Sequence, residues 1–213
     1  MAMKLIIFGA SGLLGTRLVS EALLRGHEVT GVARGLDGLR ERNRPIRTVA
    51  ADATDPTSVA EVASGHDVAL SAVTVHAQPE MLVDAARGLL DGLARAGVPR
   101  LIVAGGAGSL RVASGQRLMD TPDFHSEWEP EARAQADALA VYEAYTGPVE
   151  WSYVSPAALL EPGQRSGRYQ LGDDELLFDE SGRSRISMED FAIAMLDEAE
   201  NSRHVRRRFT AAH

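Results

Sequence analysis

The chain contains no cysteine. That one absence removes disulfides, zinc–thiolate sites, iron–sulfur clusters and thiol nucleophiles together. Such a chain suits a reducing cytosol, so a cytoplasmic location is expected. Lysine is nearly absent too, Lys4 being the only one, and the other basic residues are arginine or histidine. No apolar run approaches membrane-spanning length. The first residues enter a strand pattern at once, without the charged lead and cleavage site of a secretory leader. A net charge of −8 disfavours nonspecific contact with nucleic acid. Arg206-Arg207-Arg208 is the one basic cluster, and it reads as a solvated or salt-bridged strand face. The expected partner is a small-molecule substrate, with no nucleic acid and no membrane, and the expected state is a monomer or homodimer.

What is present is glycine in a telling place. Lys4-Leu5-Ile6-Ile7-Phe8 is a short apolar run rich in strand formers, suited to a strand covered on both faces. Gly9, Ser11, Gly12, Leu13 and Leu14 follow as a turn into a helix, with Gly15 completing a Gly-x-x-Gly-x-x-Gly spacing. Gly9 permits the tight turn. Gly12 leaves the first helical N–H groups open, and Gly15 lets the helix lie close to the strand. Open N–H groups at the positive end of a helix form an anion site, and a pyrophosphate is its natural occupant. Leu14, Leu18, Val19, Ala22 and Leu23 supply an apolar helical face, and Glu28 to Ala33 reads as the next strand.

The same grammar repeats. Gly26, Gly65, Gly97 and Gly147 each stand just before a strand, where glycine accepts the left-handed conformation that closes a helix. Strands are predicted near 3–8, 28–33, 46–51, 67–73, 100–105 and 150–155. Helices are predicted near 12–25, 56–63, 79–96 and 130–145. Alternation of this kind specifies a doubly wound Rossmann parallel sheet of the α/β class. Residues 1–213 are read as a single domain, with 157–213 contributing a small C-terminal substrate or lid region. Within it, 163–182 reads as a hairpin-bearing excursion, Ser187 as a helix cap and Val205 to Ala211 as a late edge strand.

Ligands of such a sheet bind at the C-terminal ends of the strands. At the end of the second strand, where an acid would hold an adenosine ribose, stands Arg34, whose planar fork suits a 2′-phosphate. NADP (NADPH) is therefore preferred over NAD. Glu28 lies at the wrong end of that strand, while Asp37, three residues on, could still serve NAD. Asp52 and Ala53 end the third strand. Asp52 is placed to meet adenine, or equally to cap the next helix. Ser71, Ala72 and Val73 end the fourth with small side chains that let a dinucleotide lie against the backbone.

The proton-transfer pair of ordinary short-chain dehydrogenases, Tyr-xxx-Lys, cannot form with Lys4 as the only lysine. Glu131-Ala-Arg-Ala-Gln135 occupies the corresponding helix, and Gly105-Gly106 stands where a hydroxyl is expected. Val103 to Leu110, Asp120-Thr121-Pro122-Asp123-Phe124, Ser155-Pro156-Ala157, Ser184 to Asp190 and Arg207-Arg208-Phe209-Thr210 together resemble a bacterial family of candidate NADH-flavin reductases. That family belongs to the atypical short-chain reductases, close to the NmrA-like and biliverdin reductase B-like proteins. The likeness spans nearly the whole chain. It implies hydride transfer to a flavin or similar conjugated acceptor, with flavin as a possible substrate, and it places Ser155, Pro156 and Ala157 beside the nicotinamide. The family pattern carries proline where this chain has His125.

A flavin ring holds an added electron pair itself, so alignment matters more than a strong enzyme acid. Gly105 and Gly106 would leave space for two flat rings, or serve only as a backbone bend. If a proton donor is needed, His125 comes first, in the range where imidazole titrates, followed by Ser109 and Tyr153. His27, His66, His76, His204 and His213 show no metal-ligand spacing, and no metal is expected. Two other classes stay open. One is a nonenzymatic NADP-binding redox sensor of NmrA type; the other is a pathway-specific epimerase, dehydratase or reductase.

Overall fold

The computed structural model describes residues 2–36, 45–74 and 78–213; Asp37 and His76 lie outside them. The chain opens with β1 (Lys4–Phe8), α1 (Leu13–Leu24), β2 (Glu28–Ala33) and β3 (Arg47–Ala50). It continues with α2 (Pro56–Ala63), β4 (Val68–Ser71), α3 (Met81–Ala96), β5 (Arg100–Ala104), α4 (Glu129–Glu143) and β6 (Glu150–Pro156). The C-terminal part holds β7 (Leu159–Glu161), β8 (Gln170–Gly172), β9 (Arg185–Ser187), α5 (Met188–Asn201) and β10 (Arg207–Ala212). Among the described residues no helix is long and apolar enough to cross a membrane.

The sheet runs β3-β2-β1-β4-β5-β6-β10-β8, and all neighbours are parallel except β8 against β10. Strand order reverses between β1 and β4, which opens a crevice at their C-terminal ends. Alternation along β1 explains the layers. Leu5 and Ile7 face a core containing Leu18 and Val19 of α1, Phe191 and Met195 of α5, and Phe209 of β10. Ile6 and Phe8 face the opposite core, with Val59, Leu89, Leu93 and Leu139 of α2, α3 and α4. Leu5, Ile6 and Ile7 are fully buried, each stabilising the fold by roughly 1.5–3 kcal/mol. This is the doubly wound Rossmann sheet read from the sequence.

Three of the four helix exits follow the glycine rule: Gly26, Gly65 and Gly97 have φ of 78°, 82° and 72°. Gly147 does not adopt a left-handed φ. A Cβ there would lie 2.2 Å from the Tyr145 hydroxyl oxygen, so the glycine makes room for the Tyr145 ring instead of setting a backbone hand.

The C-terminal segment departs from expectation in two ways. No hairpin forms within 163–182; its strand, β8, joins the main sheet antiparallel to β10, while β7 and β9 pair in parallel. The late strand β10 is consequently interior, lying between β6 and β8. Side chains account for the docking. Arg207 and Arg208 pair with Asp173 and Asp174, and Thr210 Oγ1 donates to the Asp173 carbonyl at 2.8 Å. Ser187 caps α5 as its sequence suggests, accepting from Asp190 N–H at 3.0 Å. Asp190 in turn accepts the N–H groups of Ser166 and Gly167 at 2.9 and 2.8 Å and meets His213 at 2.9 Å. Much of 157–213 therefore builds the sheet and its core, beyond supplying a cover.

Candidate functional site

Two depressions meet at the C-terminal edge of β1 and β4. The first, a trough of about 150 Å³, runs over Gly9, Ser11, Gly12, Arg34, Asp52 and Ala53. The second, a cavity of about 740 Å³, begins at Leu13 and Leu14 and passes Gly105 and Gly106. Gly12, Ala72, Val73 and Thr74 border both. A ligand lying along the trough reaches the cavity across that shared rim.

Local backbone chemistry builds the rim. Gly9 has φ +77°, and a Cβ on it would fall 2.4 Å from the Ala72 carbonyl oxygen. A Cβ on Gly15 would fall 2.0 Å from the Gly9 carbonyl oxygen, so α1 can lie against the turn only with glycine there. Gly12 is the N-cap of α1, and no side chain caps the helix. The first-turn N–H groups of α1, which a helix cannot bond internally, thus face the rim with the positive end of the helix dipole behind them. These residues fit a diphosphate.

The other trough residues fall as follows. Arg34 is exposed at the end of β2 and forms part of the wall. Asp52 Oδ1 accepts from Thr54 N–H and Oγ1 at 2.9 and 2.8 Å. It does not cap α2; Asp55 does, accepting from Thr57 N–H at 2.9 Å. Ser71 is 3% exposed and lies behind the trough, out of its wall.

The cavity wall comes from distant segments. Leu118, Asp123, Phe124, His125 and Trp128 belong to the loop after β5, Glu131 and Gln135 to α4, and Ala158, Leu160 and Met188 to the C-terminal segment. His125 lies 4.6 Å from Trp128 between ring centroids, tilted by 53°, and Phe124 meets Trp128 edge-on at 6.2 Å. Trp128 is 50% exposed. Together they form an aromatic shelf on one side of the cavity.

The sequence-predicted acids separate. His125 reaches the cavity, while Ser109 and Tyr153 do not. Ser109 Oγ accepts from Arg208 Nη1 at 2.7 Å. Tyr153 is 1% exposed; its hydroxyl lies 2.8 Å from Gln135 Oε1 and 3.0 Å from the Gln135 carbonyl, and accepts from Gly106 N–H at 3.3 Å. Burial pushes its pKa up, away from neutrality. Lys4 is at the start of β1, the sheet edge opposite the site.

Gly105 and Gly106 both line the cavity. A Cβ on Gly105 would lie 1.8 Å from Tyr153 Cε1, and one on Gly106 would lie 3.1 Å from Gln135 Cβ. At Gly105 the missing side chain makes way for the Tyr153 ring. Ser155, Pro156 and Ala157 are buried behind the wall; the next residue, Ala158, is the one that reaches it. Sequence reasoning missed Trp128, Leu160 and Met188. The signal for Trp128 was present: in a chain poor in aromatics, it stands four residues from Phe124 in a single loop.

Comparison with known proteins agrees with this geometry. The profile of a family described as NAD(P)H-binding matches residues 9–199. A solved candidate exported protein from Burkholderia pseudomallei is 40% identical, covering 99% of this chain and 100% of its own, with a TM-score of 0.89. A candidate epimerase from Bacteroides thetaiotaomicron is 37% identical, covering 100% and 98%, with a TM-score of 0.91. A candidate NADH-flavin reductase from Streptococcus pneumoniae is 31% identical, covering 100% of each chain, with a TM-score of 0.87. These three full-length relatives carry three different descriptions, so the chemistry has to be argued from the site.

Proposed function

Because the chain belongs to the NAD(P)H-binding family, we propose that it is an NADPH-preferring reductase of a flat conjugated acceptor such as a flavin. The observation that carries this reading is the aromatic-shelved cavity opening from the same four-residue rim as the dinucleotide trough. In it, the first-turn N–H groups of α1 hold the diphosphate, and Arg34 meets a 2′-phosphate at the adenosine end. Ala72, Val73 and Thr74 carry the nicotinamide end over the rim. When bound, the reduced nicotinamide supplies a hydride, and the acceptor takes one further proton to reach its dihydro form.

The protein's own work is binding and alignment. Trp128 and Phe124 offer faces and edges against which a planar ring packs, and Leu13, Leu118 and Leu160 keep water off it. A ring nitrogen of His125 is the group in the wall best placed to hand over the proton. No activated phenol is required, because the acceptor ring itself holds the electron pair. That is compatible with Tyr153 being buried with its proton directed at Gln135.

The test is oxidation of NADPH by the purified protein, followed at 340 nm, with riboflavin, FMN and quinones each added under anaerobic conditions. Acceptor-dependent oxidation that disappears in Gly12→Glu supports the reading. Tight binding of NADP without acceleration by any of these acceptors refutes it and favours the redox-sensor alternative.

A further inference from the structure

Building on that reductase reading, we propose that the acceptor taken by this cavity is an uncharged conjugated ring. It would be free of phosphate and carboxylate, as in riboflavin or a simple quinone, with FMN and FAD disfavoured. The argument is the placement of charge. Among the described residues, no arginine or lysine lines the cavity. Carboxylates do line it, Asp123 among them.

Arginines of the surrounding elements make their contacts elsewhere. Arg117 pairs with Asp120 at 2.6 Å, and Arg133 pairs with Glu129 at 2.6 Å. Arg208 divides between Asp174 and Ser109. The trough differs in kind, for it has Arg34 in its wall and an uncapped helix end at its rim. Anionic groups are thus provided for on one side of the rim and not on the other.

A phosphate carried into the cavity would shed part of its hydration against Leu13, Leu118, Phe124, Trp128 and Leu160, with only the His125 imidazole and no arginine or lysine among the described lining residues in return. It would also face the Asp123 carboxylate. A neutral ring has neither cost and keeps the full stacking gain on the aromatic shelf. Riboflavin and FMN isolate the question, since they share one ring system and differ by a phosphate.

The experiment measures quenching of flavin fluorescence on titration with protein saturated in NADP, at pH 8 and low ionic strength. Low ionic strength leaves charges least screened. Riboflavin is expected to bind on the order of tenfold more tightly than FMN. The same preference should appear in kcat/KM with NADPH. Asp123→Arg places a cation in the wall and should narrow the preference by raising FMN affinity relative to riboflavin. FMN binding as tightly as riboflavin in the wild type, or a preference unmoved by Asp123→Arg, overturns the inference while leaving the reductase reading intact. Binding and reduction of neither flavin nor any quinone overturns both.

Discussion

Replacing Gly12 by serine separates the helix end's part in the fold from the phosphate contact proposed for it. Gly12 has φ −71° and ψ 172°, a conformation in which serine is a favoured N-cap. Its Oγ would accept from a first-turn N–H of α1, one of the groups assigned to the diphosphate. As a cap, serine improves on glycine by only a few tenths of a kcal/mol. The new Cβ would lie 3.3 Å from the Gly9 carbonyl oxygen, a tight contact that takes back a similar amount. Fold stability should therefore stay within about 0.5 kcal/mol, or roughly 1–2 °C in Tm for a domain of this size. Binding should respond far more. A lost hydrogen bond to a charged phosphate costs about 1.5–3 kcal/mol, on the order of ten- to a hundredfold in Kd. Gly15→Ala is the opposite case, because its Cβ would fall 2.0 Å from the Gly9 carbonyl oxygen and 2.8 Å from Ala10 Cα. Overpacking against backbone costs about 1–3 kcal/mol or more, and Tm should drop by roughly 2–12 °C. Calorimetric titration with NADP and thermal melts of the ligand-free variants read the two quantities apart. If Gly12→Ser binds NADP within about twofold of the wild type, the diphosphate does not sit on α1 and the reasoning fails.

Arg34→Ala should lower affinity for NADPH on the order of tenfold while leaving NADH nearly unchanged, because only the former carries the 2′-phosphate that a guanidinium grips. Parallel titrations that move together would remove Arg34 from the site. Asp190 governs acid stability. Burial alone would raise its pKa, but hydrogen bonds from Ser166, Gly167 and His213 outweigh burial and hold it below the ordinary carboxylate range. A depressed carboxyl contributes stability above its unfolded pKa and loses it as pH falls through the folded one. The Tm gap between wild type and Asp190→Asn should therefore be full at pH 7 and narrow below about pH 4. A gap that stays constant down to pH 3 contradicts the assignment.

The sheet was legible where local and global preferences coincide. β1 is apolar at every position from Leu5 to Phe8 because α1 and α5 cover one face and α2, α3 and α4 the other. Three glycines at helix exits have the left-handed φ that their position suggests. The edge of the sheet was not legible, and the reason is physical. Gln170–Gly172 is three residues long, half-exposed to exposed and without alternation, so nothing within it specifies a partner. Its place comes from antiparallel pairing with β10, together with Asp173 and Asp174 meeting Arg207 and Arg208, 34 residues away along the chain. Ion pairs of that separation carry no periodicity for a sequence to display.

The site divides along the same line. Its phosphate end is made of backbone, so the positions of three glycines suffice to describe it. Its other end is made of side chains from the start of α1, the loop before α4 and the approach to α5, and only folding brings these together. Gly105 shows how a residue type can be read correctly and its cause missed. The glycine does make space, but Tyr153 Cε1 fills it at 1.8 Å from where a Cβ would be. Thus the tyrosine that looked available as an acid and the glycine that looked available for a ring serve one another. A phenol packed under the loop, with its pKa raised by burial and its hydroxyl bound to Gln135 and Gly106, sets the shape of the cavity floor instead of exchanging protons with its contents. On the proposed reductase reading, proton transfer would fall to His125 on the aromatic shelf or to solvent, since Tyr153 is held away from the cavity. A ring able to keep the electron pair it receives is the acceptor such a floor can serve.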